Sequence, residues 1–269
     1  MNNNAIGIFD SGLGGLTAVR ELTKMLPDEN IIYFGDTGRM PYGGRSAAQI
    51  RQIAAQNIAF AESRSVKAIL AACGTISSNA QDILERNGTK IIGVLKPGVK
   101  ELCSSGCRRL CVIATGTSIK SGSFQNEIKN LSPDAEVLAL ACPDFVPMIE
   151  AGHISADDDV VKKIVSDTLK PVRDFGCEAM LLGCTHYGII SDAISEYLPG
   201  VKLVAAASAA AGAMREYLLS EDMLSGEKSF EEYYTSGSVP DFEALAPLML
   251  GRALPSPVRY IPPLAVTEE

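Results

Sequence analysis

Leu181-Leu182-Gly183-Cys184-Thr185-His186-Tyr187 is the stretch on which the prediction of the fold rests. It continues an apolar run from Ala179 that is typical of a strand buried in a parallel sheet. A thiol, a hydroxyl and an imidazole follow in succession, at the strand end where α/β proteins place their ligands. A neighbouring His can also lower a thiol pKa. The stretch therefore predicts a strand and one wall of a site.

A second stretch of the same design lies earlier in the chain. The apolar segment 66–72 ends at Cys73, and Thr75 follows shortly after. Further segments recur at an offset of about 105 to 111 residues, since 6–12 resembles 110–118 and 30–35 resembles 136–140. Two similar halves would place Cys73 and Cys184 across a shared cleft, where ligands prefer to bind.

The predicted fold class is therefore α/β, with two similar parallel-sheet domains related by pseudo-symmetry and the active site in the cleft between them. The pattern restarts after Lys96-Pro97-Gly98. We predict a first domain over 1–97, joined by the C-terminal segment 208–269, and a second domain over 98–207. Apolar spacing also predicts a helix over 79–87, and the Gly- and Pro-rich segment 38–46 is predicted to be an irregular loop.

Composition limits the classes of function. The chain has 269 residues, of which 46% are hydrophobic and 21% charged, as in soluble globular proteins. Its net charge is −8 and it has no basic block, so no nucleic-acid partner is predicted. The N-terminus has no signal-peptide core, and the apolar stretch 201–214 is shorter than the ~20 residues of a membrane span. A cytoplasmic protein without a membrane partner is expected.

Seven cysteines in a cytoplasmic chain argue against disulfides. Cys103, Cys107 and Cys111 are evenly spaced, but no His lies nearby and the spacing is not that of a zinc site. We interpret these three as structural thiols and predict no metal site.

Two thiols that face each other across a cleft suit three kinds of chemistry. Redox exchange usually uses Cys-x-x-Cys, which is absent, and a thiol hydrolase would leave the second Cys unexplained. Proton transfer on both faces of a carbon uses both thiols, and Thr75 and Thr185 could then support a substrate carboxylate. Each residue alone also fits a structural role, as a small core thiol, a turn-forming Thr or a structural His. Only their joint occurrence in a repeat favours a site.

Several segments together resemble the glutamate racemases of the aspartate/glutamate racemase superfamily. The resemblance runs in order over nearly the whole chain and is carried by IFDSGLGGLT at 8–17, YFGDTGRMPYG at 33–43, ACGT at 72–75, IKSG at 119–122, ACP at 141–143, FVPMIE at 145–150 and GCTHY at 183–187.

This resemblance implies a cofactor-independent isomerase that interconverts L- and D-glutamate by a two-base mechanism and supplies D-glutamate for peptidoglycan. It assigns proton transfer to Cys73 and Cys184, with Asp10 assisting Cys73. His186, with Glu150 nearby, would assist Cys184. It further implies a homodimer.

The resemblance also implies a set of substrate contacts. Ser11, Thr75 and Thr185 would bind the substrate's carboxylate and ammonium groups. Tyr42-Gly43 and the turn from Thr115 to Ser118 would hold the side-chain carboxylate.

Two positions depart from the family pattern. Gly74 stands where the family usually has Asn, and Ala205-Ala206 stand where it tends to have Asp-Ser. A substrate hydrogen bond at Gly74 is then missing or is supplied by another group. The alternatives are a racemase of aspartate or a related acid, a catalytically impaired binder of acidic amino acids, and a Cys–His hydrolase.

Overall fold

The structure is a computed structural model, and it describes residues 2–228 and 230–267. Strands alternate with helices along almost the whole chain. The strands are β1 (Ile6–Asp10), β2 (Ile31–Gly35), β3 (Ala68–Ala71), β4 (Ile91–Gly93), β5 (Arg109–Ala114), β6 (Glu136–Ala141), β7 (Ala179–Leu182), β8 (Lys202–Ala205), β9 (Glu231–Thr235) and β10 (Val258–Tyr260). The helices are α1 (Leu16–Met25), α2 (Ala47–Ser63), α3 (Gly74–Asn79), α4 (Gln81–Leu84), α5 (Leu95–Cys103), α6 (Gly116–Lys120), α7 (Ser123–Leu131), α8 (Phe145–Glu150), α9 (Asp159–Phe175), α10 (Ser191–Tyr197), α11 (Ala206–Ser220) and α12 (Val239–Leu250).

The strands form two sheets in which every pairing is parallel. The first sheet has the order β10-β9-β2-β1-β3-β4 and the second has the order β6-β5-β7-β8. If β5 to β8 are matched to β1 to β4, the four shared strands have the same order in both sheets. This topology confirms the predicted repeat and the α/β class with two parallel-sheet halves. The division of the chain at residues 97 and 207 stays a prediction.

Strand register brings the chemistry-bearing residues together at one edge of each sheet. Phe9 of β1 pairs with Ala71 of β3, so Asp10 and Cys73 leave neighbouring strands side by side. In the second sheet Ile113 of β5 pairs with Leu182 of β7, which brings the residues after Ala114 close to Cys184. Because parallel strands share their carboxyl edge, each half presents its reactive groups at that edge.

One hydrophobic core runs through both halves. Buried residues of β1 and α1 in the first half, β5 and β7 in the second, and α5 and α11 between them belong to a single cluster. A separate cluster lies under α2 on the other face of the first sheet and contains Phe9, Phe34 and Tyr42. Cys184 belongs to the continuous cluster and Cys73 to the separate one, so close packing fixes each thiol within its own half.

Two local predictions were wrong. Residues 79–87 do not form one helix, because α3 begins directly after Cys73, where the Ser77 amide donates to the Cys73 carbonyl at 2.9 Å. Ala80 has the non-helical angles φ −133° and ψ 35°, and it separates α3 from α4. The loop 38–46 contains single turns of 3-10 helix at Thr37–Arg39 and Tyr42–Gly44.

The last two strands of the chain extend the first sheet. β9 pairs with β2, and β10 pairs with β9, although the sequence pattern showed only the first of these strands. Within the described ranges, no helix is both long and apolar enough to cross a membrane.

Candidate active site

The cavity between the carboxyl edges of the two sheets has a volume of about 550 Å³. This volume falls in the usual range for a ligand pocket, roughly 300–1,000 Å³. Both halves contribute to its walls. The lining residues are Asp10, Ser11, Gly12, Met40, Pro41, Tyr42, Gly43, Cys73, Gly74, Thr75, Thr115, Gly116, Cys142, Pro143, Val146, Pro147, Glu150, Cys184, Thr185 and His186.

The cavity brings together every predicted site residue except Ser118. That side chain is fully buried behind the wall, where its Oγ lies 2.9 Å from Thr115 Oγ1. Thr115 Oγ1 in turn lies 3.1 Å from Thr75 Oγ1, which belongs to the other half. Ser118 therefore supports the wall residue Thr115, and the structure does not place it where a ligand would touch it.

Cys73 shares its pocket with two polar groups of the first half. The Asp10 carboxylate and the Ser11 hydroxyl both influence the pKa of the Cys73 thiol. Burial raises the pKa of Cys73 well above its ordinary value, and the nearby Asp10 carboxylate raises it further. Burial also raises the pKa of Asp10. Cys73 is therefore held as a protonated thiol.

The Gly-rich turn after β1 holds Asp10 itself. The Gly15 amide donates to Asp10 Oδ2 at 2.9 Å, and the Gly12 amide donates to the same oxygen at 3.4 Å. A Gly-rich turn between a strand and a helix suits an anion, and here it binds the carboxylate of Asp10. Gly14 has a different role, because a Cβ there would lie 2.2 Å from His186 Nδ1. The turn thus fixes Asp10 and leaves room for the imidazole of the opposite half.

Cys184 lies at the start of a chain of polar groups in the second half. Its Sγ is 3.7 Å from His186 Nδ1, and His186 Nε2 is 3.1 Å from Glu150 Oε1. Burial lowers the pKa of His186, but the contacts with Cys184 and Glu150 outweigh burial and raise the pKa to about 10. An imidazolium at His186 is placed to stabilise a thiolate at Cys184.

The raised pKa of His186 predicts how its contribution to stability depends on pH. Because the folded-state value of about 10 is above the ordinary value of 6.5, this contribution is full below 6.5 and is lost as the pH rises through 10. We expect His186→Gln to lower the melting temperature strongly near pH 6 and only weakly above about pH 10. Thermal unfolding of both proteins across this range measures the difference.

The second histidine provides the matched control. His153 is partly exposed and contacts Asp158 at 2.7 Å, away from the cavity, so His153→Gln should not reproduce the pH trend. A melting-temperature difference for His186→Gln that is the same at low and high pH would contradict the ion-paired imidazolium.

Tyr42 presents its ring and not a free hydroxyl to the cavity. Its hydroxyl donates to Asp36 Oδ2 and accepts a hydrogen bond from Asn57 Nδ2 at 3.4 Å. The contact that the resemblance assigned to Tyr42-Gly43 must therefore come from backbone groups. Sequence reasoning missed Asp36, which is completely buried and which holds Tyr42 in place.

Gly74 lies where backbone of one half closely approaches backbone of the other. A Cβ at Gly74 would lie 2.3 Å from the Gly183 carbonyl oxygen. Two further contacts cross the cleft nearby, since Thr117 Oγ1 donates to the Gly43 carbonyl and Ser123 Oγ donates to the Ser78 carbonyl at 2.6 Å. The glycine thus permits a direct backbone approach. Ala205, the other departure, is absent from the cavity lining, and its Cβ lies close to Gly188.

A third thiol in the cavity was not predicted. Cys142 lines the wall and is almost fully buried, and burial together with the nearby Cys184 raises its pKa to about 12. Its position after β6, at the same carboxyl edge as Cys184, was a signal that could have identified it. A pKa this high leaves Cys142 protonated near neutral pH.

The chemical character of the lining restricts its ligand. Neither Lys nor Arg is among the described residues that line the cavity, so carboxylates there would bind hydroxyls and backbone amides. Cys73 and Cys184 contribute one thiol from each half to the same cavity. The arrangement can take a proton from one side of a bound carbon and return one to the other side.

Comparison with known proteins points in the same direction. The profile of the family described as Asp/Glu/hydantoin racemase matches residues 14–214. A protein named glutamate racemase from Picosynechococcus is 42% identical over 195 residues, which are 72% of this chain and 69% of that protein. Glutamate racemase 3 from Caldanaerobacter subterraneus is 36% identical over 250 residues, covering 91% and 90% of the two chains.

A solved structure resembles the whole fold. Glutamate racemase from Francisella tularensis, crystallised with D-glutamate, superposes with a TM-score of 0.89 at 35% identity. The match covers 97% of this chain and 98% of that one.

Proposed function

The chain belongs to the Asp/Glu/hydantoin racemase family, and we propose that it interconverts L- and D-glutamate by a two-base mechanism that uses Cys73 and Cys184. One observation carries the proposal. Two thiols follow equivalent strands of two repeated sheets and line one cavity from opposite halves. Such pseudo-symmetry suits a reaction whose substrate and product are mirror images, because each enantiomer needs its own proton acceptor.

The surroundings of the two thiols define the starting state. We assign proton removal to Cys184, whose Sγ lies 3.7 Å from His186 Nδ1, and proton delivery to Cys73, which burial keeps protonated. Cys184 Sγ removes the α-proton from one enantiomer, and the Cys73 thiol delivers its proton to the opposite face of the carbon. The step leaves Cys184 as the thiol and Cys73 as the thiolate, which is the starting state for the reverse reaction.

The remaining lining residues serve recognition. Ser11, Thr75 and Thr185 line the cavity around the two thiols and offer hydroxyl groups to the α-carboxylate and ammonium of the substrate. Backbone groups at Tyr42-Gly43 and Thr115-Gly116 hold the side-chain carboxylate. Hydrogen bonds to the α-carboxylate matter most when the carbanion forms, because negative charge then moves onto its oxygens.

The proposal extends to the setting of the reaction. The protein acts in the cytoplasm as a homodimer and supplies D-glutamate for peptidoglycan. Sedimentation of the purified protein tests the dimer, and a requirement for exogenous D-glutamate after deletion of the gene tests the role.

Circular dichroism of enantiopure amino acids incubated with the protein tests the reaction itself. We expect L- and D-glutamate to lose their optical signal at a common equilibrium, whereas L- and D-aspartate keep theirs. Turnover of aspartate alone would move the assignment to an aspartate racemase. Binding of glutamate without loss of signal or exchange of the α-proton with solvent would leave a binding protein.

A further inference from the structure

Arg39 connects the loop that carries Tyr42 to three other parts of the first half. Its Nε donates to Asp36 Oδ2 at 2.7 Å, and the same oxygen accepts the Tyr42 hydroxyl. Its Nη2 donates to Asn57 Oδ1 at 2.9 Å, and its Nη1 contacts Gln56 Oε1, both on α2. The Arg39 carbonyl accepts a hydrogen bond from Arg45 Nη2 at 2.7 Å, which ties down the far end of the loop.

The last contact of the Arg39 guanidinium comes from the C-terminal segment, residues 261–267. The Leu264 carbonyl accepts a hydrogen bond from Arg39 Nη1 at 3.2 Å. The segment has no helix or strand, but it begins where the Ile261 amide donates to the Thr235 carbonyl at 2.8 Å, beside β9.

Four further contacts seat the C-terminal segment on α2. Gln56 Nε2 donates to the Ala265 carbonyl at 3.0 Å. Gln52 bonds both the amide and the hydroxyl of Thr267, at 3.0 Å and 2.8 Å. Val266 packs against the cluster that contains Tyr42. Leu264 is 63% exposed, and its backbone carbonyl makes the contact with Arg39. The segment is therefore docked at several points, and the Leu264 carbonyl faces the buried Arg39 guanidinium.

We propose that the C-terminal segment supports the substrate site from outside the cavity, acting through Arg39 as a positioning residue for the Tyr42-Gly43 wall. The inference rests on the proposed function, because its effect is on glutamate binding. A buried guanidinium needs all its hydrogen-bond partners, so removal of the Leu264 carbonyl leaves one N–H without its acceptor. Arg39 then shifts, and Asp36 and Tyr42 shift with it.

The site of action predicts which kinetic constant changes. Gly43 contacts Thr117 through its carbonyl, and neither Tyr42 nor Gly43 belongs to the Cys184–His186–Glu150 chain. A displaced wall weakens the hold on the side-chain carboxylate equally in the ground and transition states. KM should therefore rise while kcat stays nearly constant.

The test is a double-mutant cycle on the full enzyme. Truncation after Ile261 removes all of the segment beyond its first residue. Arg39→Lys keeps a positive charge near Asp36, but a lysine cannot reach all the partners of the arginine side chain. We expect each change to raise KM for both enantiomers of glutamate by about 5- to 20-fold, with kcat within about 2-fold of the wild type. In the double variant KM should rise no further, because both changes act through the same contact.

Arg259→Ala is the matched control. Arg259 lies just before the segment and bonds Glu232 and the Tyr234 hydroxyl of β9 but neither Arg39 nor its partners, so this variant should keep the wild-type KM. An unchanged KM on truncation, or multiplicative effects in the double variant, would overturn the inference while leaving the racemase assignment intact. A wild type that does not racemise glutamate would instead refute the proposed function, and the inference with it. If the truncated protein folds poorly, Gln52→Ala replaces it in the cycle, because this variant keeps the full chain and removes both bonds that hold Thr267 on α2.

Discussion

Alanine at either Cys73 or Cys184 is expected to lower kcat/KM for glutamate racemisation by at least about 1,000-fold, starting from L- or D-glutamate. In a two-base reaction every turnover uses both thiols, one as acceptor and one as donor, whichever enantiomer is the substrate. Removal of either thiol therefore stops both directions. The initial rate of change of the circular dichroism signal measures the loss.

Cys142→Ala is the control, because the same cavity wall holds this third thiol. Burial and the nearby Cys184 raise the pKa of Cys142 to about 12, so it does not act as the base. We expect this variant to keep activity within about 3-fold of the wild type. Loss of activity in Cys142→Ala with retention in Cys73→Ala would assign the reaction to a different pair. Retention of racemisation in Cys73→Ala, with loss only in Cys184→Ala, would contradict the two-base mechanism, because Cys73 would then not be needed as a proton donor or acceptor.

Gly74→Ala is expected to lower kcat/KM by about 100-fold, although it adds one methyl group and touches neither thiol. The added Cβ would lie 2.3 Å from the Gly183 carbonyl, and backbone on both sides of the contact must move apart. Cys73 precedes Gly74 and Cys184 follows Gly183, so the movement separates the two thiols directly. A displacement of about 1 Å is enough for a loss of this size.

Gly44→Ala provides the matched control, since a Cβ at Gly44 meets nothing within 4 Å. This variant should behave as the wild type. Gly74→Asn introduces the residue that the family usually carries at this position. Its Cβ would meet the Gly183 carbonyl as in Gly74→Ala, so we expect it to lower activity as well. Activity in Gly74→Asn at or above the wild-type level would show that the two halves do not depend on their close approach at this point.

The repeat made much of the fold predictable. Apolar runs followed by a Cys and a nearby Thr mark β3 and β7, and equivalent strands occupy equivalent places in the two sheets. The prediction of a single helix over 79–87 was wrong for a local reason. Its apolar spacing was visible, but helical hydrogen bonding begins earlier, in a segment of Gly, Thr and Ser that carries little helix propensity. The strand β10 has only three residues and gave no pattern to read.

The site was predictable where residues follow strand ends and less so where distant segments meet. Cys73, Thr75, Cys184 and His186 follow β3 and β7, so their place on the cavity wall follows from the fold. The placement of Ser118 behind Thr115 depends on how a turn packs, and sequence spacing does not carry that information. The contact between Arg39 and Leu264 joins residues more than 200 positions apart, and only the tertiary structure brings them together.

Isotope labelling in D₂O tests most directly whether two thiols act on opposite faces of one carbon. Protiated L-glutamate is incubated with the protein in D₂O to low conversion. The two enantiomers are then separated, and mass spectrometry measures the deuterium content of each. The account predicts deuterium in the newly formed D-glutamate and none in the remaining L-glutamate, because one thiol removes hydrogen and the other delivers it. Product that keeps the original hydrogen, or deuterium equally present in both enantiomers, would contradict it.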